Sequence, residues 1–248
     1  MVVIPSTPRL PWRVAQVVHN HRETESARTI GLTVPGWNGH VAGQHIDLKL
    51  TAADGYSAQR SYSLSRPADG EHIELTVQQI LDGEVSPYVA GMRAGDEVEV
   101  RGPIGGWFVW RPDAAKRVVL VAGGSGIVPL MAMLRQRVLS ATACDFLLVY
   151  SVRSAAEVFY AAELDRFTRH CDWLQIRLLY TRSGPPGTPR PPARIGSADL
   201  RFTGWPPDPD IQIYVCGPTG FVESVTAHLI EQGHAPSAIR TERFGPSQ

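Results

Sequence analysis

Residues 117–135 read RVVLVAGGSGIVPLMAMLR. The opening apolar run is short and almost continuous, as expected for a parallel strand covered on both faces. It ends at Gly123, Gly124 and Gly126, and Pro129 then stands where a helix can accept it, in the first turn, so a helix is predicted from Val128 to about Leu139. A strand that feeds a helix through a glycine turn commits this part of the chain to an α/β architecture. The same alternation continues downstream, with strands predicted at 146–151, 174–180 and 211–215 and helices at 155–168 and 219–232.

The first part of the chain follows a different rule. Candidate strands at 12–18, 28–34, 45–50, 59–65, 72–80 and 97–101 are separated by PGWNG, ADG, PADG, LDG and MRAGD, and no long helical period intervenes. HIELTVQQI alternates, which predicts one buried and one wet face. Short strands in such number suggest an antiparallel barrel or sandwich. The chain therefore divides into residues 1–110 and 111–248, with the linker near 109–116. The proline-rich tract 183–197 can form neither a regular helix nor a central strand, and is read as an exposed loop over the sheet edge.

Composition narrows the function classes. The 24 basic residues cancel the 24 acidic ones, so no global field draws the chain to nucleic acid or to anionic lipid. Cys144, Cys171 and Cys216 are too widely spaced for a CxxC or iron–sulfur set, and the histidines form no HExxH, so no metal is expected. The segment MVVIPSTPRL lacks the apolar core of a secretion signal, and no apolar stretch approaches the roughly 18–20 residues of a membrane span, so a soluble cytoplasmic protein is expected.

Several segments carry chemistry. The glycine turn lets backbone approach a phosphate, which would then meet a helix N-terminus. Its spacing, GGxG, is not the usual GxGxxG dinucleotide fingerprint. In RSYSLS (60–65) Arg60 offers a fork for phosphate, Tyr62 a flat ring and Ser63 an amide and a hydroxyl. In GEVSPYV (83–89) Ser86 is a natural N-cap and Pro87 a natural first helical residue, which predicts a short helix with amides free for a second anion. In IYVCGPTGF (213–221) Cys216 sits at the carboxyl end of an apolar strand, where open α/β sheets bind ligands.

These motifs, in this order and over residues 10–245, resemble the ferredoxin-NADP reductase superfamily, in its minimal two-domain form without an iron–sulfur domain. The resemblance implies an N-terminal antiparallel flavin-binding β-barrel followed by an α/β parallel-sheet nicotinamide-binding domain. It assigns Arg60 to the flavin phosphate, Tyr62 to the isoalloxazine or ribityl region and Ser63 to flavin N5. Gly83 and Ser86 match the second phosphate-binding stretch, and Gly102, Pro103 and Gly105 the turn that closes the barrel. Gly123, Gly124, Gly126 and Pro129 match the nicotinamide pyrophosphate site, and Cys216, Gly217 and Pro218 the motif that borders the reacting nicotinamide. In the tail TERF, Glu242 is implied near Ser63 and Cys216, with Phe244 covering the flavin face, a cover that the GPSQ extension could loosen. Thr181 and Arg182, with Arg190 adding charge, fit the place that reads a ribose 2′-phosphate, and Tyr160 could lie near the adenosine.

The implied cofactor is FAD rather than FMN, and the implied donor is NADPH in preference to NADH. The implied reaction is hydride transfer to the flavin, with Ser63, Cys216 and Glu242 as its catalytic group. Onward delivery would go to a ferredoxin, a flavodoxin or an oxygenase component, from a reductase expected to be monomeric. Two alternatives stay open: a diaphorase or free-flavin reductase acting on small acceptors, and a nucleotide-binding scaffold subunit without turnover.

Overall fold

The computed structural model describes residues 10–80 and 82–245. The signal-segment expectation at the N-terminus and the extension beyond Gly245 lie outside the described residues. The strands of the first domain are β1 (Arg13–Arg22), β2 (Ala27–Thr33), β3 (His45–Thr51), β4 (Ser57–Ser63), β5 (His72–Gln78) and β6 (Glu97–Ile104). They form one antiparallel sheet in the order β4-β3-β6-β1-β2-β5. A bridge between Leu64 and Leu75 brings the two edges together and closes the sheet as a barrel. Alternation explains which residues turn inward: along β1 only Ala15 and Val17 are buried, and they join Ile30, Leu32, Ile46, Leu48 and Val100 in the barrel core.

Helix α1 (Ser86–Gly91) crosses between β5 and β6. Its cap is Val85, with no side-chain capping bond, so the expectation that Ser86 caps it is corrected. Ser86 begins the helix and its hydroxyl accepts a hydrogen bond from the Ile80 amide at 3.0 Å, folding the preceding loop instead.

The second domain holds β7 (Arg117–Gly123), α2 (Ile127–Leu139), β8 (Asp145–Ser154), α3 (Ala161–His170), β9 (Leu174–Ser183), β10 (Ile211–Pro218), α4 (Thr219–Glu231) and β11 (Ile239–Phe244). Its five strands are all parallel in the order β11-β10-β7-β8-β9. The inner strands are buried on both faces, as their continuous apolar sequences require. Tract 184–196 forms no helix or strand and returns to the edge strand β9 through the Ala193 amide and the Tyr180 carbonyl.

Two elements differ from the sequence reading. The helix expected over 155–168 starts only at Ala161, because Val158, Phe159 and Tyr160 are drawn into the core and Tyr160 takes a left-handed conformation, φ 57°. The tail TERF is part of β11, a strand in parallel register with β10. The domains also share packing: Phe108 and Trp110, at the end of the first, belong to the core of the second together with Ala27 and Ala42 of the barrel. No helix among the described residues is long and apolar enough to cross a membrane, and no group of three His, Cys, Asp or Glu side chains among them could hold a metal.

Candidate functional site

Ser63 ends β4 at the seam between the domains, and its hydroxyl is buried without a hydrogen-bond partner. A buried hydroxyl left in this state is an unmet demand that a ligand can satisfy. Beside it stands Glu242 of β11. Burial pushes the Glu242 pKa up to about 7, and the Ser63 hydroxyl offsets part of that rise without reaching the geometry of a full hydrogen bond. On the barrel side the antiparallel partner of Ser63 is His45, whose pKa is lowered by burial against the opposing pull of Asp47.

Two clefts meet at Ser63. The larger, about 660 Å³, runs from Arg60 and Tyr62 past Gly83 and Ser86 to Ser125 and Phe244. Its volume is in the range of cofactor sites. Arg60 is more than half exposed at the rim, with one terminal nitrogen donating to the Gln59 carbonyl and the other 3.7 Å from Glu84, solvent-exposed contacts that an incoming phosphate can replace. The smaller cleft, about 360 Å³, is walled by His45, Gly105, Trp107, Glu242 and Phe244. A third hollow, about 230 Å³, continues from Gln78 and Ser125 over Gly123 and Gly124 to Arg153, Thr181 and Pro218. Gln78 and Ser125 wall both it and the large cleft, so the hollow at the barrel and the hollow at the glycine turn adjoin along one groove at the seam.

The glycines of the turn have different physical jobs. A Cβ on Gly126 would lie 2.1 Å from the Cys216 carbonyl oxygen, and one on Gly123 2.8 Å from the Phe221 ring, so the first lets the turn pack on β10 and the second lets the end of β7 pack under α4. A Cβ on Gly217 would also meet Phe221, at 2.9 Å. Gly124 is different: φ is +54° and nothing stands near its missing side chain. Its bare backbone faces the groove just before the thirteen-residue α2, whose N-terminal amides favour an anion. Pro129 is buried in the first turn of α2 and shapes the turn from behind.

Three assigned residues do not behave as expected. Tyr160 is buried, and its hydroxyl is held by Thr76 and its amide by Glu23, so it presents no ring to an adenosine. Arg190 is locked to Asp199 at 2.7 Å and to the carbonyls of Ala193 and Arg194, where it staples the proline-rich loop rather than offering a free cation. Cys216 is fully buried and burial raises its thiol pKa well above the ordinary value, so the thiol neither reaches the groove nor forms a ready thiolate. It acts in the packing beneath Gly126, in register with Glu242. Arg182 remains exposed at the end of β9, next to Thr181 in the groove.

Sequence reasoning missed His45, Gln78 and Arg153. His45 reaches the site only through its pairing with Ser63, which no local pattern announces. Arg153 was accessible in principle, because it lies at the carboxyl end of β8, the side of a parallel sheet where ligands bind.

The groove fits a flavin nucleotide on one side, with its unpartnered Ser63 hydroxyl, Tyr62 ring and available Arg60, and a second nucleotide at Gly124 on the other. Comparison with known proteins agrees. Residues 15–109 match the oxidoreductase FAD-binding domain family and residues 120–227 the oxidoreductase NAD-binding domain family. The chain is 28% identical to the glycine betaine monooxygenase reductase subunit of Pseudomonas aeruginosa (strain UCBPP-PA14), over 83% of this chain and 56% of that one. It is 32% identical to a flavohemoprotein of Pseudomonas putida, over 83% of this chain and 51% of that one. The chain thus spans about half the length of the curated relatives it matches. Its fold is that of the flavohem-like FAD/NAD binding domain of nitric oxide dioxygenase from Vibrio cholerae, with TM-score 0.80, 24% identity and coverage of 94% and 99% of the two chains. A ferredoxin NADP+ reductase from Neisseria gonorrhoeae with bound FAD and NADP aligns with TM-score 0.78 at 20% identity, covering 94% and 98%.

Proposed function

The chain belongs to the two-domain FAD/NAD(P)H oxidoreductase modules of the ferredoxin-NADP reductase type, and from that premise we propose that it serves as the reductase of an electron-transfer system, with NADPH as the favoured donor and a redox protein or an oxygenase component as acceptor. FAD, when bound, would supply acceptance of hydride from NAD(P)H and release of electrons one or two at a time. The chain's own residues supply position and charge. Arg60 and the loop of Gly83 and Ser86 would hold the flavin nucleotide in the large cleft, with the Tyr62 ring packed along it. Gly124 and the start of α2 take the pyrophosphate of the donor.

Ser63 orients the acceptor edge through its free hydroxyl. Glu242, poised near neutrality, holds or gives up a proton beside it. Phe244 stands in both clefts and must yield for the donor to stack. Exposed Arg182, beside Thr181 at the end of β9, is the cation that favours a 2′-phosphate and hence NADPH, whereas Arg153 on the same hollow is opposed by Glu157 at 3.9 Å. The acceptor reading rests on the similarity to an oxygenase reductase subunit.

The observation that carries the proposal is the pair of adjoining hollows that share Gln78 and Ser125 as walls, one lined by the unpartnered Ser63 of the barrel and the other by the bare Gly124 backbone of the second domain. Anaerobic rapid mixing of FAD-loaded protein with NADPH and, separately, NADH tests it. Fast bleaching of the flavin, faster with NADPH, is expected; oxidised flavin that persists with both donors would instead favour a binding subunit.

A further inference from the structure

Arg135 lies on α2, the helix that starts at the glycine turn, and its side chain crosses the seam to the barrel. One guanidinium nitrogen donates to the Ser65 carbonyl at 2.9 Å and to Glu74 of β5 at 2.7 Å. The rest of the fork grips Glu163 of α3 at 3.2 and 2.7 Å, and the group stacks over the Tyr160 ring at 4.9 Å. Ser65 in turn donates its hydroxyl to Glu74 at 2.7 Å. Tyr160 extends the contact: its hydroxyl meets Thr76, Thr76 meets Thr29 at 2.8 Å, Thr29 donates to Glu23 at 2.9 Å, and Glu23 accepts the Tyr160 amide at 3.1 Å. This closed circuit holds Tyr160 in its left-handed conformation, which a tyrosine does not adopt without such support.

Both ends of the Arg135 grip are attached to the chemistry. Ser65 is two residues beyond Ser63 on the same strand direction, and α2 is a continuous helix whose first turn follows Gly124. Arg135 itself lines neither groove nor cleft of the site. With Glu74 and Glu163 it borders a separate hollow on the outside of the seam. Reaction rates between held partners are sensitive to displacements of about 1 Å.

We propose that Arg135 is a positioning residue for hydride transfer, fixing the distance between the Ser63 end of the barrel and the glycine turn of the nucleotide domain. The inference rests on the reductase reading above. It is tested with Arg135→Met, which removes the fork, Arg135→Lys, which keeps the charge, and Glu163→Gln, which weakens the far end of the grip.

In FAD-loaded protein mixed anaerobically with increasing NADPH, the limiting rate of flavin reduction should fall at least about tenfold in Arg135→Met. The donor concentration for half the limiting rate, and FAD affinity, should stay within about twofold of the parent. Arg135→Lys should recover part of the rate, and Glu163→Gln should fall between, which keeps the test decisive if the methionine variant does not fold. In the ligand-free protein, hydrogen exchange should rise at residues 64–66 and 159–163 and stay unchanged in β3 and β7.

A folded Arg135→Met with the parent's limiting rate would overturn the inference, as would a rate loss matched by equal losses of donor and FAD binding. A parent protein whose flavin neither donor reduces overturns the reductase reading instead, and the exchange comparison then still decides whether Arg135 holds the seam.

Discussion

Ser63 and Glu242 make opposite demands on their surroundings, and both are measurable. Replacing Ser63 with Ala removes the free hydroxyl but little volume, so FAD should stay bound while its reduction slows by about 10²-fold, read by single-turnover mixing. Glu242 has a folded pKa near 7 against an ordinary value of 4.5, because burial favours the neutral acid. A raised acid binds more protons folded than unfolded, so its contribution is fully present below about pH 4.5 and is lost as pH rises through 7. Glu242→Gln should therefore leave stability unchanged at pH 4 and raise it at pH 8 by an amount on the order of 1–3 kcal/mol, measured by urea unfolding of ligand-free protein. The same variant should flatten any inflection near neutral pH in the reduction rate. RSYSLS drew notice because a fork, a ring and a hydroxyl stand together in it, whereas TERF was assigned only through the family resemblance. The burial that tunes Glu242, and the burial that removes Cys216 and Tyr160 from the groove, arises from residues distant in the chain.

At the scale of elements the glycine turn is the most demanding. Gly126→Ala would drive a methyl group into the Cys216 carbonyl, which belongs to a central strand and cannot move alone. A loss on the order of 3 kcal/mol is expected, visible as a lower urea midpoint with unchanged slope. Gly124→Ala meets open space and should cost only about 1 kcal/mol, the conformational penalty of its left-handed backbone. Its larger effect should be on nicotinamide affinity. The turn, β7 and α2 could be read directly, because strand, glycine and helix signals sit in one uninterrupted stretch. The start of α3 could not, since residues 155–160 have no breaker and leave the helix only because Phe159 and Tyr160 find a better place in the core. The strand nature of TERF was hidden for a related reason: two of its four residues are charged, and it is a strand because β10 offers an edge in register.

At the scale of the molecule the two domains are bound by more than the cofactors they would share. Trp110 leaves the barrel and is fully buried in the second core, edge-on to Phe146 at 5.1 Å, with its amide bonded back to Ala42. With Arg135 and Tyr160 closing the other side of the seam, ligand-free protein should unfold in a single urea transition reported alike by barrel and sheet probes. Trp110→Ala should cost roughly 3–5 kcal/mol and separate the two transitions. The change of hydrophobic period after residue 110 was visible in the sequence. That the last residues of the first half pack into the second was not, since apolar residues in a linker carry no address.

Local physics was enough to separate an antiparallel β half from a later α/β half and to find the glycine turn between β7 and α2, because period, glycine and proline act over a few residues; the barrel rather than a sandwich, and the phosphate roles, came with the family resemblance. The tertiary structure decided which assigned groups are free to act. Arg190 and Arg182 are equivalent cations in the sequence, yet one is consumed by Asp199 and the other is left exposed. Availability depends on partners and burial, and these are fixed only when distant segments meet.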